Sequence, residues 1–331
     1  MKKLTYAQAG VDISLENRSI EAMKSVLTTR RKGFGAPLTD IGHYAGLLDM
    51  GSFALAMTTD GVGSKVLIAN AISKWDTVGI DCIAMNVNDL YAIGAEPIAF
   101  VDYLAVEKVD PERAEQIAIG LARGAELSNM TIVGGETASL PEIIRGFDLA
   151  GTAIGIVDKD KVVTGEKIKK GDVLVGVPSS GLHSNGYTLA RAIVAQSGYT
   201  YFDRLPGGEK SIGEELLVPT RIYHAIVELV GRCDVHGLAH ITGSGLLKLR
   251  RISNLGFEIT DPLEPQPIFH FLQEQGRVED LEMYQTFNMG MGFLVVLAEE
   301  EAQEACRIMG PGSRVIGSVV GEGLRAGHLA F

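Results

Sequence analysis

The chain is poor in cysteine, has a single tryptophan and lacks any long apolar run, and these shortages exclude whole classes of protein. Cys82, Cys233 and Cys306 are the only cysteines in 331 residues. They are far apart and form no C-x-x-C pair, so neither a disulfide framework nor a zinc site is expected, and a reducing compartment fits. No stretch approaches the ~18 apolar residues of a spanning helix, and Lys2 and Lys3 lead into no apolar segment of the secretory kind. A cytoplasmic protein is the expectation. Basic residues are outnumbered, 30 Lys and Arg against 41 Asp and Glu, for a formal charge of −11. Nucleic acid and membranes are therefore not expected as partners, and any bound phosphate must meet a local positive site.

The common nucleotide motifs are missing too. Gly63-Ser64-Lys65 has the wrong order for a Walker A loop, and neither Gly33-Phe34-Gly35 nor Gly290-Met291-Gly292 extends to G-x-G-x-x-G. There is no G-x-S-x-G elbow and no H-E-x-x-H pair, which weakens hydrolase and zinc-protease readings.

What is present is an ordinary globular composition, 46% hydrophobic and 21% charged, long enough for two domains. Apolar runs and helical periodicity alternate as in an α/β protein. Helices are expected at about 15–30, 76–92 and 110–127, the last opened by Asp110-Pro111. Strands are expected at 53–60, 98–105, 131–133 and 148–157. The lysine-rich stretch 158–171 reads as a junction, giving domains at 1–165 and 166–331. The second half then offers strands at 173–177, 293–297 and 314–320, helices at 187–196, 219–230 and 299–308, and a further helix after Gly245. Asp234 and His236 read as part of a turn.

The residues with chemistry sit where these elements end. Thr58-Thr59-Asp60-Gly61-Val62-Gly63-Ser64-Lys65 follows an apolar strand with a carboxylate, two glycines and a lysine, the composition of a site for phosphate and metal. The bland alternative is an Asp-Gly turn with a solvated lysine. Asn88-Asp89, late in a helix, and Gly134-Gly135-Glu136 at a strand end supply further carboxylates, the bland alternatives being a solvated helix face and a surface glutamate; together Asp60, Asp89 and Glu136 form a candidate Mg²⁺ set. The loop from Ser179 to Tyr187 joins a strand to a helix and offers hydroxyls and N–H groups for an anion, with Ser184 or Asn185 as candidate N-cap. His183 is a candidate proton carrier, or simply a hydrogen-bonding residue. The loop His240-Ile241-Thr242-Gly243-Ser244-Gly245 has the same character.

Taken in order, Ala9-Gly10-Val11-Asp12, Gly33-Phe34-Gly35-Ala36, the Asp60 to Lys65 segment, Gly79-Ile80-Asp81, Asn88-Asp89-Leu90, Gly94-Ala95-Glu96-Pro97, Gly134-Gly135-Glu136-Thr137-Ala138, Ser179 to Tyr187, Pro219 to Tyr223, Ala239 to Gly243 and Glu282 to Gly290 resemble the phosphoribosylformylglycinamidine cyclo-ligase (aminoimidazole ribonucleotide synthetase) family. Nearly the whole chain is covered. The resemblance implies an α/β (α+β) fold of two domains, an N-terminal mixed sheet with helices that forms the dimer interface and a C-terminal α/β sandwich. It implies a homodimer that binds ATP and Mg²⁺ and closes the ring of formylglycinamidine ribonucleotide, releasing ADP and phosphate in purine biosynthesis. On the family pattern Asp60, Asp89 and Glu136 would hold the metal. Gly33, Phe34, Gly35, Gly61, Gly63, Lys65 and Asn88 would meet the nucleotide, and Ser180, His183, Ser184, Asn185, Thr242 and Gly243 the substrate; Asp60, Lys65, Asp89 and His183 would act in catalysis. Bacterial members carry Glu-Met-Pro where this chain has Ser139-Leu140-Pro141. Another phosphotransferase of the same superfamily, or a non-catalytic nucleotide-binding paralogue, is the rival reading. The selenophosphate-forming members carry a reactive Cys near the N-terminal glycine loop, and here none precedes Cys82.

Overall fold

The protein is described by a computed structural model covering residues 5–7, 9–11 and 13–331. Met1 to Leu4, Gln8 and Asp12, on which part of the N-terminal reading rests, lie outside the described residues. The first half contains α1 (Ile13–Val26), β1 (Gly46–Asp49), β2 (Phe53–Gly61), α2 (Val66–Ile72), α3 (Val78–Tyr91), β3 (Glu96–Val106), α4 (Pro111–Ser128), β4 (Thr131–Ser139) and β5 (Phe147–Asp158). The second contains β6 (Val173–Pro178), α5 (Tyr187–Ser197), α6 (Ile212–Leu216), α7 (Ala225–Arg232), β7 (Val235–His240), β8 (Gly256–Ile259), α8 (Pro267–Gly276), α9 (Asp280–Thr286), β9 (Met291–Leu297), α10 (Ala302–Met309), β10 (Arg314–Val320), β11 (Leu324–Ala326) and β12 (Leu329–Ala330).

The strands form two sheets, one in the order β1-β2-β5-β3-β4 and one in the order β12-β11-β8-β10-β6-β9-β7. Within the first, only β3 and β4 run parallel. Its inner face carries Ala54, Ala56, Phe100, Leu104, Leu149 and Ala153, all buried, against the almost wholly buried α3. Alternation along β2 and β5 is the period-two signature of a sheet covered on one side. On the other face Met57, Val101, Tyr103 and Ile156 are exposed. The second sheet is buried more deeply: β6 is almost entirely and β9 entirely inaccessible, which explains their unbroken apolar sequence.

Local signals account for several boundaries. Asp110 caps α4 by accepting from Arg113 N–H at 3.2 Å, with Pro111 at the first helical position. The helix read at 219–230 begins only at Ala225, because backbone N–H groups ahead of it are used elsewhere: Thr220 N–H donates to Asp81 and Tyr223 N–H to Asn88. After Gly245 there is a 3₁₀ turn, Gly245–Arg251, instead of an α-helix. His236 is not in a turn. It lies in β7, buried, with Nδ1 2.7 Å from Asp172 Oδ2.

Candidate active site

Asp60 sits on the inner face at the end of β2, where Gly61 N–H donates to its Oδ1 at 2.7 Å. The chain then turns at Gly63, whose φ of +67° suits glycine, into the short 3₁₀ segment Gly63–Lys65. This turn faces the start of α5. A cavity of about 260 Å³ is lined by Tyr6, Asp60, Gly61, Gly63, Ser64, Met85 and residues 184–188. Neither Ser184 nor Asn185 caps α5; Gly186 occupies that position with φ +77° and no side-chain cap. The Gly186 backbone bonds Tyr6, and no side chain of the loop caps the first turn; an uncapped helix start is an arrangement that can receive an anion. Asn185 also reaches the neighbouring loop: a Cβ on Gly243 would stand 2.9 Å from its Oδ1.

Asp89 comes from α3 and bonds His240 Nδ1 through Oδ1 at 2.9 Å. Asp60 and Asp89 repel one another, and burial with this repulsion pushes the Asp60 carboxyl up to about 6. Lys248 lies in the same field; burial and Arg251 bring its ammonium down to about 8, against the pull of Asp89 and Asp60. Asp60 on the cavity wall beside the start of α5, with Asp89 acting on it from α3, is a donor set that suits a divalent cation carrying phosphate, since Mg²⁺ is commonly held by one or two carboxylates plus phosphate oxygens.

The structure relocates other expected residues. Lys65 is fully buried and donates to Asp81 Oδ1 at 2.9 Å, to the His183 carbonyl at 2.9 Å and to the Val218 carbonyl at 2.8 Å. It is committed to this site and is not a free point charge for phosphate. Asn88 is likewise internal: its Nδ2 donates to the Arg221 carbonyl and its Oδ1 accepts from Tyr223 N–H. His183 is 1% exposed, its Nε2 accepts from Ser180 N–H at 3.3 Å, and burial above all, then His240, Lys65 and Arg221, depresses its basicity well below the usual value. A buried neutral imidazole turned toward Tyr223 and His240 is a poor proton acceptor for a ligand in the cavity. Ser180 gives its hydroxyl to the Pro219 carbonyl at 2.6 Å, and Thr242 is buried.

Glu136 and the glycine loop are also displaced from Asp60. Glu136 pairs in register with Tyr103, Ala150 and Gly61, so it belongs to the outer face of the sheet, whereas Asp60 shares the inner row with Gly151, Asp102 and Gly135. The two rows' ends are three strand spacings apart, about 14 Å. Accordingly, among the described residues no group of three or more His, Cys, Asp or Glu could hold one metal ion, which corrects the three-carboxylate set within one chain. Gly35 N–H donates to the carbonyl of Asp49, which pairs with Ala54. Ala54 is six residues from Asp60 along β2, roughly 20 Å. Gly33, Gly35 and the exposed Phe34 therefore lie at the opposite end of the strand.

Fold and site define a two-sheet α/β protein with an acidic cleft where strand β2 meets helix α5. Two family models match it, "AIR synthase related protein, N-terminal domain" over residues 42–157 and "AIR synthase related protein, C-terminal domain" over residues 169–328. A phosphoribosylformylglycinamidine cyclo-ligase of Methanosarcina barkeri is 64% identical over 100% of this chain and 99% of its own. The chain belongs to the phosphoribosylformylglycinamidine cyclo-ligase family. Among solved structures, AaThiL complexed with AMPPCP and TMP superposes with a TM-score of 0.68 at 18% identity, covering 96% of this chain and 94% of that one. Thiamine-monophosphate kinase from Stenotrophomonas maltophilia gives 0.63 at 19%, covering 93% and 94%. At such identity these two likenesses concern the fold alone.

Proposed function

We propose that the protein catalyses the ATP-dependent ring closure of formylglycinamidine ribonucleotide to 5-aminoimidazole ribonucleotide, with release of ADP and phosphate. An amide oxygen is a poor leaving group. Transfer of the γ-phosphoryl to the formyl oxygen converts it into an iminophosphate, which the neighbouring amidine nitrogen attacks; the C–O bond then breaks and phosphate departs. Such a transfer asks the protein mainly for positioning and charge neutralisation. Asp60 and Asp89 would hold Mg²⁺, which when bound screens the phosphate charge. The N–H groups at the start of α5 would receive phosphoryl oxygens, while Ser184 and Asn185 face the same cavity and orient the substrate. His240 holds the Asp89 carboxylate in place.

The observation that carries this reading is the cavity that joins Asp60 to the α5 N-terminus, in a chain so similar to a cyclo-ligase. A second copy of the chain covering the exposed outer face of the first sheet would make the homodimer and would bury Met57, Val101, Tyr103 and Ile156. Three free cysteines, and no described helix long and apolar enough to cross a membrane, support a cytoplasmic setting. The test mixes protein, formylglycinamidine ribonucleotide, ATP and Mg²⁺ and follows ADP and the aminoimidazole together. Equal, substrate-dependent formation of both is expected. ADP without the imidazole would assign the protein to another acceptor, and neither product would leave only a non-catalytic role.

A further inference from the structure

Lys65 is the residue whose environment departs furthest from its sequence context. Following D-G-V-G-S, it is placed to meet phosphate, yet all three of its donors are spent inside the protein. One bond goes to Asp81, on α3 of the first domain's layer; the other two go to carbonyls of the second half, at His183 and Val218. Asp81 Oδ1 in turn accepts from both Thr220 N–H at 2.8 Å and Thr220 Oγ1 at 2.6 Å. Thr220 Oγ1 is 3.3 Å from Ser184 Oγ, and Ser184 lines the cavity beside Asp60. An unbroken polar chain thus runs from the buried ammonium to a hydroxyl in the site.

The backbone at His183 shows why such a hold is needed. Its φ is +66°, a left-handed conformation that residues other than glycine rarely adopt. A strained residue persists only where its surroundings over-determine it. Here Lys65 takes its carbonyl and Ser180 N–H takes its ring, so the peptide linking His183 to Ser184 is fixed from both sides. A fully buried ion pair is an expensive way to gain stability, since desolvation offsets most of the attraction. A positional purpose explains it better.

We propose that Lys65, with Asp81 and Thr220, is a positioning residue that clamps the 180–185 loop of the second domain onto the end of β2, holding Ser184 and Asn185 in register with Asp60 for the formylglycinamidine ribonucleotide. The clamp contributes nothing directly to nucleotide binding. This inference rests on the activity proposed above.

The test separates the clamp from stability and from phosphate contact. Lys65→Met alone strands the Asp81 carboxylate and is expected to destabilise the protein. The double variant Lys65→Met with Asp81→Asn removes both charges, keeps an acceptor for Thr220, and is expected to recover the wild-type melting temperature to within a few degrees. In that double variant the KM for formylglycinamidine ribonucleotide should rise at least tenfold, while the Kd of Mg²⁺-ADP by calorimetry stays within about threefold of wild type. Amide hydrogen exchange at Ser180 and Ser184 should accelerate at least tenfold, a readout that holds whatever the enzyme's substrate proves to be. Wild-type KM together with unchanged exchange in a double variant of restored stability would overturn the clamp. A tenfold or greater loss of Mg²⁺-ADP affinity would overturn it in favour of a phosphate ligand. If neither variant regains stability, Thr220→Val, which removes the hydroxyl link to Ser184 and leaves the ion pair, decides through the same KM and exchange measurements. Failure of wild-type protein to turn over the ribonucleotide would sink the proposed activity alone, since exchange still judges the clamp.

Discussion

Replacing Asp60 with Asn should make the ligand-free protein more stable and inactive at once. The carboxyl is displaced from 3.8 to about 6, first by burial and then by Asp89. At ~1.36 kcal/mol per pH unit this amounts to roughly 3 kcal/mol by which the ionised form strains the fold. Because the folded-state value is raised, the folded protein binds more protons than the unfolded chain between about pH 4 and 6, and stability falls as pH rises through that window. Asn keeps the size and the acceptor for Gly61 N–H, and it carries no charge for Asp89 to repel. At pH 8 the variant should therefore melt higher, by roughly 5 °C or more on the usual scaling for domains of this size. Repeating the melts at pH 5 should shrink the gap to about half, since much of the wild-type carboxyl is then protonated on folding. Turnover should disappear, and the stabilisation that Mg²⁺ with ADP gives the wild type should vanish with it. A variant that melts at or below wild type at pH 8, or one that retains Mg²⁺-dependent turnover, would refute the reasoning.

Three other substitutions probe the remainder of the site. His240→Gln, which releases the Asp89 carboxylate, should weaken Mg²⁺ binding about 10–100-fold by calorimetry, the usual scale for a residue that orients a metal ligand. Lys248→Met should flatten the pH–stability curve between about 8 and 10.5, because the depressed ammonium makes the wild type gain stability as pH rises through that range; an unchanged slope in thermal melts would show that the ammonium is not confined. Val101→Asp, in the middle of the exposed outer face, should convert the proposed dimer to monomer in sedimentation velocity, with helix content preserved.

Much of the fold was legible because its signals are local. The strand at Phe53–Gly61, the capped helix at Pro111–Ser128 and the buried strand at Met291–Leu297 each carry their own periodicity or cap. What escaped has no such signal. β7 contains two histidines and a glycine, and its start at His236 reads as part of a turn, yet all six residues are buried, because Asp172 satisfies His236 and Asp89 satisfies His240 from elsewhere in the chain. The segment before α7 has helical composition and is kept out of the helix by long-range bonds to Asp81 and Asn88. Among the candidate site residues, Asp60, Ser184 and Asn185 were read from their place between elements, and they line one cavity. Lys248 was not singled out and His240 was named only as the start of a loop, since their interactions with Asp89 depend on a contact between the two halves that no nearby residue announces.

Glu136 and Lys65 make the same point about charge. In sequence both look like parts of one phosphate and metal site, because each stands among glycines at the end of a strand. The pleat sends Glu136 to the outer face and Asp60 to the inner one, a distinction that one residue of register reverses. The 3₁₀ turn after Gly63 carries Lys65 inward to Asp81 while leaving Ser64 on the cavity wall. Positive character at the cavity then rests on the uncapped start of α5, with Lys248 close enough to Asp89 and Asp60 to feel both. On the proposed function, a protein of charge −11 would thereby admit a polyphosphate selectively: N–H groups would attract it only at short range, and Asp60 with Asp89 would turn it away unless it arrived with its cation.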